Sequence, residues 1–341
     1  MSGIIDHEYR QIIVLLLAAI LDYLIADPPY LLHPVQIVGW VILNLQKIIL
    51  KFFNKPWQKC LAGIALGLSL IIGSGFIGWL TVFTAFRISP FFAIFLETTI
   101  LASCFACRSL RLAVKDVLSS LVKGDLALAR TKLSQYVGRD TAQLSTSEIL
   151  RAVLETVAEN TTDGVTAPLF YGILGSLIPG IGAVPLALSY KAASTLDSMI
   201  GYRKEPFTYL GWFSAQLEDY LTWFPCRLTV LTVAVLTNKY QEVWCLCQRD
   251  AHKDPSPNSG WSETAFAAAL GIQLGGTNSY DGIIINKPLL GEPIQRITID
   301  KVNQAINLAR NCFLLWLGIG LGIHLLFFCF TSGQFHFNLN K

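Results

Sequence analysis

The chain has 341 residues, of which 53% are hydrophobic and 14% are charged, and its formal net charge is +3. Soluble domains carry about 25% charged residues, so this composition indicates a protein with several membrane segments. The small net charge, with no long basic tract, argues against nucleic-acid binding. The eight cysteines lie mostly in or beside apolar stretches and are interpreted as small hydrophobic groups rather than as metal or redox pairs.

Long intervals without charge predict the simplest membrane segments. Residues 12–25 are not followed by a cleavage site and are expected to remain as an anchor. Residues 61–86 exceed the roughly 20 residues that a spanning helix needs. Together with residues 91–107 they predict a helical hairpin over 61–107. Residues 311–330 are almost free of charge and predict a final span.

Three further apolar intervals are less simple. Residues 35–53 carry lysines four residues apart, on one helical face, so an interfacial helix fits at least as well as a span. Residues 165–190 are free of charge but are interrupted by glycines and prolines, which predicts a broken or re-entrant segment. Residues 221–237 are apolar apart from Arg227 and are expected to dip into the membrane or to pack rather than to cross alone.

The polar stretch 108–163 is predicted to be helical. Apolar residues recur at helical spacing over 113–121, and a second helix is expected over 124–137. Ser145 and Glu148 have the spacing of a capping box, which predicts that a third helix begins there.

A second polar stretch covers residues 238–310. Residues 261–274 predict a short, alanine-rich helix that ends at Gly275-Gly276. Residues 280–285 predict a strand or a turn. Residues 299–310 predict a helix that continues into the final span.

Together these elements predict an all-α polytopic membrane protein. We expect one integral membrane domain over residues 1–341, with about four to six membrane segments, one of them broken or re-entrant. The polar stretches are expected to form helical cytoplasmic loops.

Carboxylates beside the membrane segments suggest a metal site. Polar groups near hydrocarbon are costly and are functional candidates by default. Glu159 and Asp163 lie at the expected end of a helix, next to the broken segment. Carboxylate oxygens suit Mg²⁺, which usually takes one or two carboxylates together with substrate phosphates. Asp197 is the third candidate ligand.

Other polar residues in the same strings predict contacts with an anionic substrate. Arg203 offers a planar fork for phosphate or carboxylate. The loop at 256–260 is rich in hydroxyls and glycine and precedes a helix, a form that presents backbone N–H groups to an anion. An ordinary turn capped by Asn or Ser is the equally good alternative. The predicted substrate- and phosphate-binding residues are Arg203, Tyr202, Ser256, Asn258, Gly260, Asn160 and Ser198.

Catalytic candidates lie at both ends of the chain. Asp27 and His33 follow the first apolar segment among prolines, where both fit helix punctuation. His33 fits a base or a phosphate contact equally well, and Asp27 is the second catalytic candidate. Glu263 follows the 256–260 loop and is the third catalytic candidate.

These strings form an ordered set of motifs over nearly the whole chain. The set resembles the adenosylcobinamide-phosphate synthase family, the CobD/CbiB proteins of cobalamin biosynthesis. Ser176, Ser194 and Ser262 depart from the pattern of that family, and none of them replaces an acid. The motifs are Leu21-Asp22-Tyr23, Asp27-Pro28, His33-Pro34-Val35, Glu159-Asn160-Thr161, Asp163-Gly164, Ala167-Pro168-Leu169-Phe170-Tyr171, Thr195-Leu196-Asp197-Ser198-Met199, Gly201-Tyr202, Ser256-Pro257-Asn258, Gly260-Trp261, Glu263 and Leu274-Gly275-Gly276.

The resemblance implies an enzyme of the inner membrane whose active site faces the cytoplasm. It implies that a carboxylate of (adenosyl)cobyric acid, a cobalt corrinoid, is joined to aminopropanol or aminopropanol phosphate with ATP and Mg²⁺. A carboxylate is a poor acyl donor, so an acyl phosphate is the expected intermediate, stabilised by metal and arginine. We expect His33 or Glu263 to act as the base for the amine. Membrane lipid and other enzymes of the pathway are the expected partners.

Two other functions are considered beside the ligase. In a transporter, the broken segment with Glu97 and Arg227 would line a permeation path, although no inverted repeat is found in the sequence. In a scaffold, the chain would hold corrinoid intermediates or other enzymes without catalysis.

Overall fold

The computed structural model describes residues 2–25, 34–202 and 204–331. Three predicted site residues, Asp27, His33 and Arg203, lie outside the described residues. The helices are α1 (Ser2–Leu24), α2 (Pro34–Phe52), α3 (Pro56–Ile88), α4 (Pro90–Ala102), α5 (Cys107–Val122), α6 (Leu126–Leu133), α7 (Thr146–Asn160), α8 (Ala167–Ser176), α9 (Ala183–Ile200), α10 (Trp212–Thr237), α11 (Tyr240–Asp250), α12 (Ser259–Leu270) and α13 (Ile299–Thr331). A π-helical turn covers Thr161–Thr166, a 3₁₀ turn covers Ala251–Lys253, and two strands are β1 (Gln273–Tyr280) and β2 (Ile283–Gly291).

Among the described residues, five segments are long and apolar enough to cross a membrane. This number confirms the predicted polytopic membrane protein, whose described residues are mainly helical. The segments are Pro34–Phe52, Pro56–Ile88, Pro90–Val122, Trp212–Thr237 and Ile299–Phe330. The interfacial position of α2 stays a prediction.

Contacts divide the chain into two compact units, each made of separate stretches of sequence. The first unit comprises Met1–Phe105, Ala167–Glu218 and Leu314–Lys341. The second unit comprises Ala106–Thr166 and Asp219–Phe313.

The 165–190 interval is broken, as its glycines and prolines predict. Within the first unit it forms α8 and the start of α9, which pack against each other. A ten-residue helix such as α8 rises about 15 Å, half the thickness of a bilayer core. Gly180 and Gly182, between the two helices, both have φ of +83° and adopt a conformation that favours glycine.

Buried polar contacts hold α1 within the first unit. The Nε2 atom of His324 in α13 lies 2.7 Å from the Ser176 hydroxyl, and its Nδ1 contacts the carboxylate of Glu8. Gln11 donates a hydrogen bond of 2.9 Å to Glu97 in α4. These bonds satisfy polar groups that would otherwise be unpaired away from water.

Local signals set the ends of two helices in the second unit. Ser145 and Glu148 form the predicted capping box at the start of α7. At the C-terminal end of α12, Gly271 adopts the left-handed conformation. Lys239 and Lys301 donate hydrogen bonds to the last carbonyl groups of α12, where a positive charge is favourable.

The β-hairpin includes the strand or turn predicted over 280–285 but extends further in both directions and takes the place of a predicted helix end. The helix predicted over 261–274 was expected to end at Gly275-Gly276, but α12 ends at Leu270 and these glycines lie in β1. A register shift between Leu274 and Gly276 marks a bulge. The strands are joined by Asp281-Gly282, a pair typical of two-residue hairpin turns, with φ of 51° and 77°.

Replacing Gly275 by alanine should destabilise the second unit. Gly275 has φ of +83°, and an added Cβ would overlap the carbonyl oxygen of Pro288 on the paired strand. Gly275→Ala is expected to lower the free energy of unfolding by about 3 kcal/mol, because backbone strain and a backbone clash add. Gly282→Ala is the control, since Gly282 has a similar φ of +77° but open space around it. Thermal unfolding in detergent should separate the two variants, and an equal loss in both would show that the predicted clash is relieved.

Candidate functional site

The helix that carries Glu159 ends within the 159–163 stretch that the sequence predicts. α7 runs to Asn160 and continues directly into the π-helical turn at Thr161–Thr166. Such turns are rare and occur frequently at functional sites. Glu159 is exposed on the last turn of α7, and Asp163 is half-buried on the π-helical turn. The side chain of Asn160 donates to the carbonyl oxygen of Thr156 at 2.9 Å, one helical turn earlier.

A buried glutamate on α7 ties this helix to the hairpin. Glu155 is 2% exposed, and its carboxylate pairs with Arg139 at 2.5 Å. Its other oxygen accepts the N–H of Gly275 in β1 at 2.9 Å. Arg139 and Arg151 both donate to the side-chain oxygen of Asn278, also in β1, at 2.9 and 3.1 Å. The bulge and the strand are therefore fixed against α7 by charge-assisted hydrogen bonds.

Glu263 lies on α12 within the same unit and is 1% exposed. One carboxylate oxygen lies 4.0 Å from the ammonium of Lys287 in β2, while Oε2 has no hydrogen-bond partner in the described part of the chain. Burial raises the pKa of Glu263 well above its ordinary value, and the carboxylates of Glu155 and Glu159 raise it further. Lys287 acts in the opposite direction and does not offset these effects.

Glu159 and Lys287 share this electrostatic environment. The pKa of Glu159 is raised, mainly because the surrounding protein displaces water, even though the surface of the side chain stays accessible. Asp254 raises it further, whereas Lys287 lowers it. Burial lowers the pKa of Lys287, but the carboxylates of Glu263, Glu159 and Asp254 outweigh burial and raise it overall. The site therefore keeps Lys287 charged and disfavours the ionised forms of Glu263 and Glu159.

The backbone N–H groups of the loop at 256–260 donate hydrogen bonds to nearby side chains of the chain itself. The Asp254 carboxylate accepts the N–H of Ser256 at 2.9 Å, and the Ser256 hydroxyl accepts the N–H groups of Asn258 and Ser259, both at 3.2 Å. These bonds match the alternative interpretation of the loop, an ordinary capped turn. Gly260 packs where a Cβ would overlap the carbonyl oxygen of Ala251. Contacts of Ser256 and Gly260 with phosphate stay predictions.

Asn258 connects this loop to α10. Its side-chain oxygen accepts a hydrogen bond of 2.8 Å from Arg227, and its amide donates to the carbonyl oxygen of Asp219 at 2.8 Å. The Arg227 guanidinium also lies 4.8 Å from the ring of Trp223 and 4.7 Å from that of Trp261. Arg227 thus packs against two aromatic rings.

The remaining described candidates lie in the first unit. Asp197 and Ser198 are in the last turn of α9, where the Ser198 hydroxyl donates to the carbonyl oxygen of Thr195 at 2.9 Å. Gly201 follows at the end of the helix, and a Cβ there would overlap the Asp197 carboxylate. Tyr202 is 50% exposed beyond this end. Glycine at position 201 therefore leaves room for the Asp197 carboxylate, and a larger residue there would clash with it.

The described residues contain no group of three or more His, Cys, Asp or Glu side chains arranged to hold a metal ion by themselves. A closed cage of three protein carboxylates is thus not seen in that part of the chain. The raised pKa of Glu159 and the unpaired oxygens of Glu263 and Asp254 nevertheless identify carboxylates whose ionised forms a bound cation would stabilise. This donor set fits Mg²⁺ that brings phosphate oxygens as its further ligands.

Several residues of this site are not identified from the sequence. Lys287 lies just beyond the strand or turn predicted over 280–285, and the sequence analysis gives Asp254 and Arg139 no role in the site. Asp254 lies two residues before Ser256, and that spacing is the one local signal for its capping role. Arg139 and Lys287 are recognised only through their contacts with Glu155 and Glu263.

The fold and the site define a helical membrane protein whose second unit holds a cluster of carboxyl groups with raised pKa values beside a lysine. The profile of the CobD/Cbib protein family matches residues 15–309. A Synechocystis sp. protein named "Cobalamin biosynthesis protein CobD" is 51% identical over 340 residues, 99% of each chain. A Salmonella typhimurium protein named "Cobalamin biosynthesis protein CbiB" is 38% identical over 314 residues, 91% of this chain and 94% of that one.

No solved structure matches the chain at a significant level. The family match and the identities over nearly the full length show that the chain belongs to the CobD/CbiB family of cobalamin biosynthesis proteins. The family resemblance expected from the motifs is confirmed.

Replacing Glu263 by glutamine should change how stability depends on pH. Because its pKa is raised in the folded protein, Glu263 holds a proton that the unfolded chain releases above its ordinary pKa of 4.5. This carboxyl therefore makes the wild type less stable as the pH rises above that value. Glu263→Gln resembles the protonated form and removes this loss. The melting temperature of the variant minus that of the wild type should increase from about pH 5 to about pH 8.

Glu242→Gln is the matched control, because Glu242 lies in α11 of the same unit and its ion pair with Lys239 is about one-third exposed. Its difference from the wild type should vary little with pH. A difference for Glu263→Gln that is constant or decreases with pH would contradict the raised pKa.

Proposed function

We propose that the chain is an ATP-dependent amide ligase that joins a carboxylate of (adenosyl)cobyric acid to aminopropanol or aminopropanol phosphate. The product is adenosylcobinamide or its phosphate. Membership of the CobD/CbiB family supports the pathway. The observation that carries the reaction type is Glu263, a buried carboxylate with a raised pKa that faces Lys287 and has one unpaired oxygen.

The reaction that we propose has two steps. The corrinoid carboxylate first attacks the γ-phosphate of ATP, so that an acyl phosphate forms and ADP leaves. The nitrogen of the amino alcohol then attacks the acyl carbon and forms the C–N bond. The bond between the acyl carbon and the phosphate oxygen breaks, and inorganic phosphate leaves. The amine loses one proton in this second step and requires a base.

Glu263 is our candidate for that base. A carboxylate whose pKa is raised is a stronger base and is better matched to the pH of the cell. Lys287, which stays charged beside it, is placed to attract an anionic group of the substrate. His33 and Asp27 remain alternative catalytic residues.

Glu159 and Asp163 are our candidates for Mg²⁺ binding, and Asp197, in the first unit, stays a predicted ligand. A bound Mg²⁺ would neutralise phosphate charge. The raised pKa of Glu159, caused mainly by desolvation, marks a carboxylate whose ionised form a cation would stabilise. We further propose that Arg203, Tyr202, Ser198 and Asn160 contact the substrates or their phosphates.

The contacts of Glu97 and Arg227, the two charged residues that suggested a transporter, do not support that function. Glu97 is buried with Gln11 and Arg10 in the first unit, at 2.9 and 3.4 Å. Arg227 belongs to the second unit and is held by Asn258 and two tryptophans. Both charged groups have local partners, so neither requires a transported ion to compensate it.

Loss of the base should abolish amide formation without unfolding the protein. In detergent, with ATP, Mg²⁺ and cobyric acid, the wild type is expected to form one amide per ATP consumed. Glu263→Gln should lower kcat by about 10² to 10⁴, the usual contribution of a general base. Chromatography of the corrinoid product, with each of the two amines in turn, measures the rate and shows which amine is preferred.

Glu242→Gln should keep the wild-type rate in the same assay. Absence of corrinoid amide from the wild type with both amines would refute the ligase. A normal rate in Glu263→Gln would keep the ligase and exclude Glu263 as the base.

The proposed reaction requires that the site faces the cytoplasm, where ATP is present. Single cysteines at Ser134 and Thr208, both exposed, probe the two units in a background without the eight native cysteines. In intact cells both should resist a membrane-impermeant thiol reagent, and both should react after the cells are opened. Reaction of either position in intact cells would place that loop on the outer side.

A further inference from the structure

The two faces of the hairpin differ in their chemistry. Side chains of a strand point alternately to opposite sides. Ile283, Ile285 and Lys287 therefore share one face of β2, and Ile284 and Asn286 share the other. Pairing places Tyr280, Asn278 and Gly276 of β1 opposite the first set, on the same face as that set.

The first face is turned towards the charged site at its inner end. Lys287 faces Glu263 on α12 at 4.0 Å. Asn278, paired with Ile285, receives hydrogen bonds from Arg139 and Arg151 of the Glu155 cluster. Two independent contacts thus orient this face towards the carboxylates.

The outer end of the same face is apolar and exposed. Ile285 is 46% exposed and Ile283 is 66% exposed. Two residues of a strand span about 7 Å, so the Cα of Ile285 lies about 7 Å from that of Lys287 and the Cα of Ile283 about twice as far. Two exposed isoleucines on one face, at the edge of a charged site, offer a small apolar surface to a ligand.

The second face holds the hairpin in place. Thr277 donates to the side-chain oxygen of Asn286 at 2.9 Å across the strands. The carboxylate of Asp140 accepts the Ser279 hydroxyl at 2.5 Å and the N–H of Gly282 at 2.9 Å. These hydrogen bonds hold the second face of the hairpin in place, so the strand that carries the exposed isoleucines has a fixed position.

We propose that the face formed by Ile283 and Ile285 binds the apolar body of the corrinoid acid and that Lys287 receives its carboxylate. This inference rests on the proposed ligase function. The ligand must combine a broad apolar surface with a carboxylate about one strand step away. A corrin ring bears methyl groups on its faces and acid side chains at its edge, and it meets both requirements. ATP is too highly charged, and the amino alcohol is too small to cover two isoleucines.

The test compares side chains on the two faces of one strand. The double variant Ile283→Ser/Ile285→Ser removes the apolar face without touching Lys287. The visible absorbance of cobyric acid allows direct binding measurements in detergent, without ATP or amine. The dissociation constant and the KM for cobyric acid should rise by about tenfold or more, because apolar contact area is lost. The KM values for ATP and amine, and kcat at saturating corrinoid, should stay within about twofold.

Ile284→Ser is the matched control, since Ile284 is 72% exposed on the same strand but on the opposite face. It should leave binding of cobyric acid within about twofold of the wild type. Unchanged binding in the double variant, or an equal loss in Ile284→Ser, would overturn the proposed docking face.

The binding measurement also separates this inference from the proposed function. If the wild type binds cobyric acid through this face but forms no amide, the ligase fails and the docking face remains. If the wild type forms the amide and the double variant binds normally, the docking face fails and the ligase remains.

Discussion

The buried ion pair between Arg139 and Glu155 is the interaction on which the second unit depends. A charge taken out of water must be compensated, and removal of one partner of a buried pair typically costs about 3–5 kcal/mol. Here the compensation comes from Arg139, Arg151 and the N–H of Gly275. Because those groups belong to a turn, a helix and a strand, neutralising a single carboxylate joins three elements in a defined arrangement.

The position of Lys287 follows from this arrangement. Glu155 fixes β1 at its bulge, and the antiparallel pairing then sets the register of β2. That register brings Lys287 to Glu263 and points the alternate side chains of β2 in the same direction. The electrostatics of the site and the apolar surface beside it therefore have the same structural origin.

The balance of charge in the site favours chemistry over simple stabilisation. Structural ion pairs usually leave each group satisfied, as Glu155 is. Glu263 and Asp254 each keep a buried oxygen without a hydrogen bond in the described residues, and the pKa values of Glu263 and Glu159 are raised. Groups with such perturbed pKa values cluster at functional sites. The unpaired oxygens are consistent with a site that is completed by a cation or a substrate proton.

Local chemistry in the sequence was sufficient for the membrane class, the helix that begins after Ser145, the broken 165–190 interval, the strand or turn at 280–285 and the candidate acids Glu159 and Glu263. Each of these depends on composition, spacing or a residue with restricted backbone angles. Only the start of the hairpin, at Gly275-Gly276, is wrongly predicted as a helix end, because Gly275 adopts a positive φ inside a strand, where contact with Pro288 leaves no room for a side chain. The roles of Lys287 and Arg139 depend on partners far along the chain. Only the tertiary structure decided them, because the field at a buried carboxylate is set by every charge that folding brings near it.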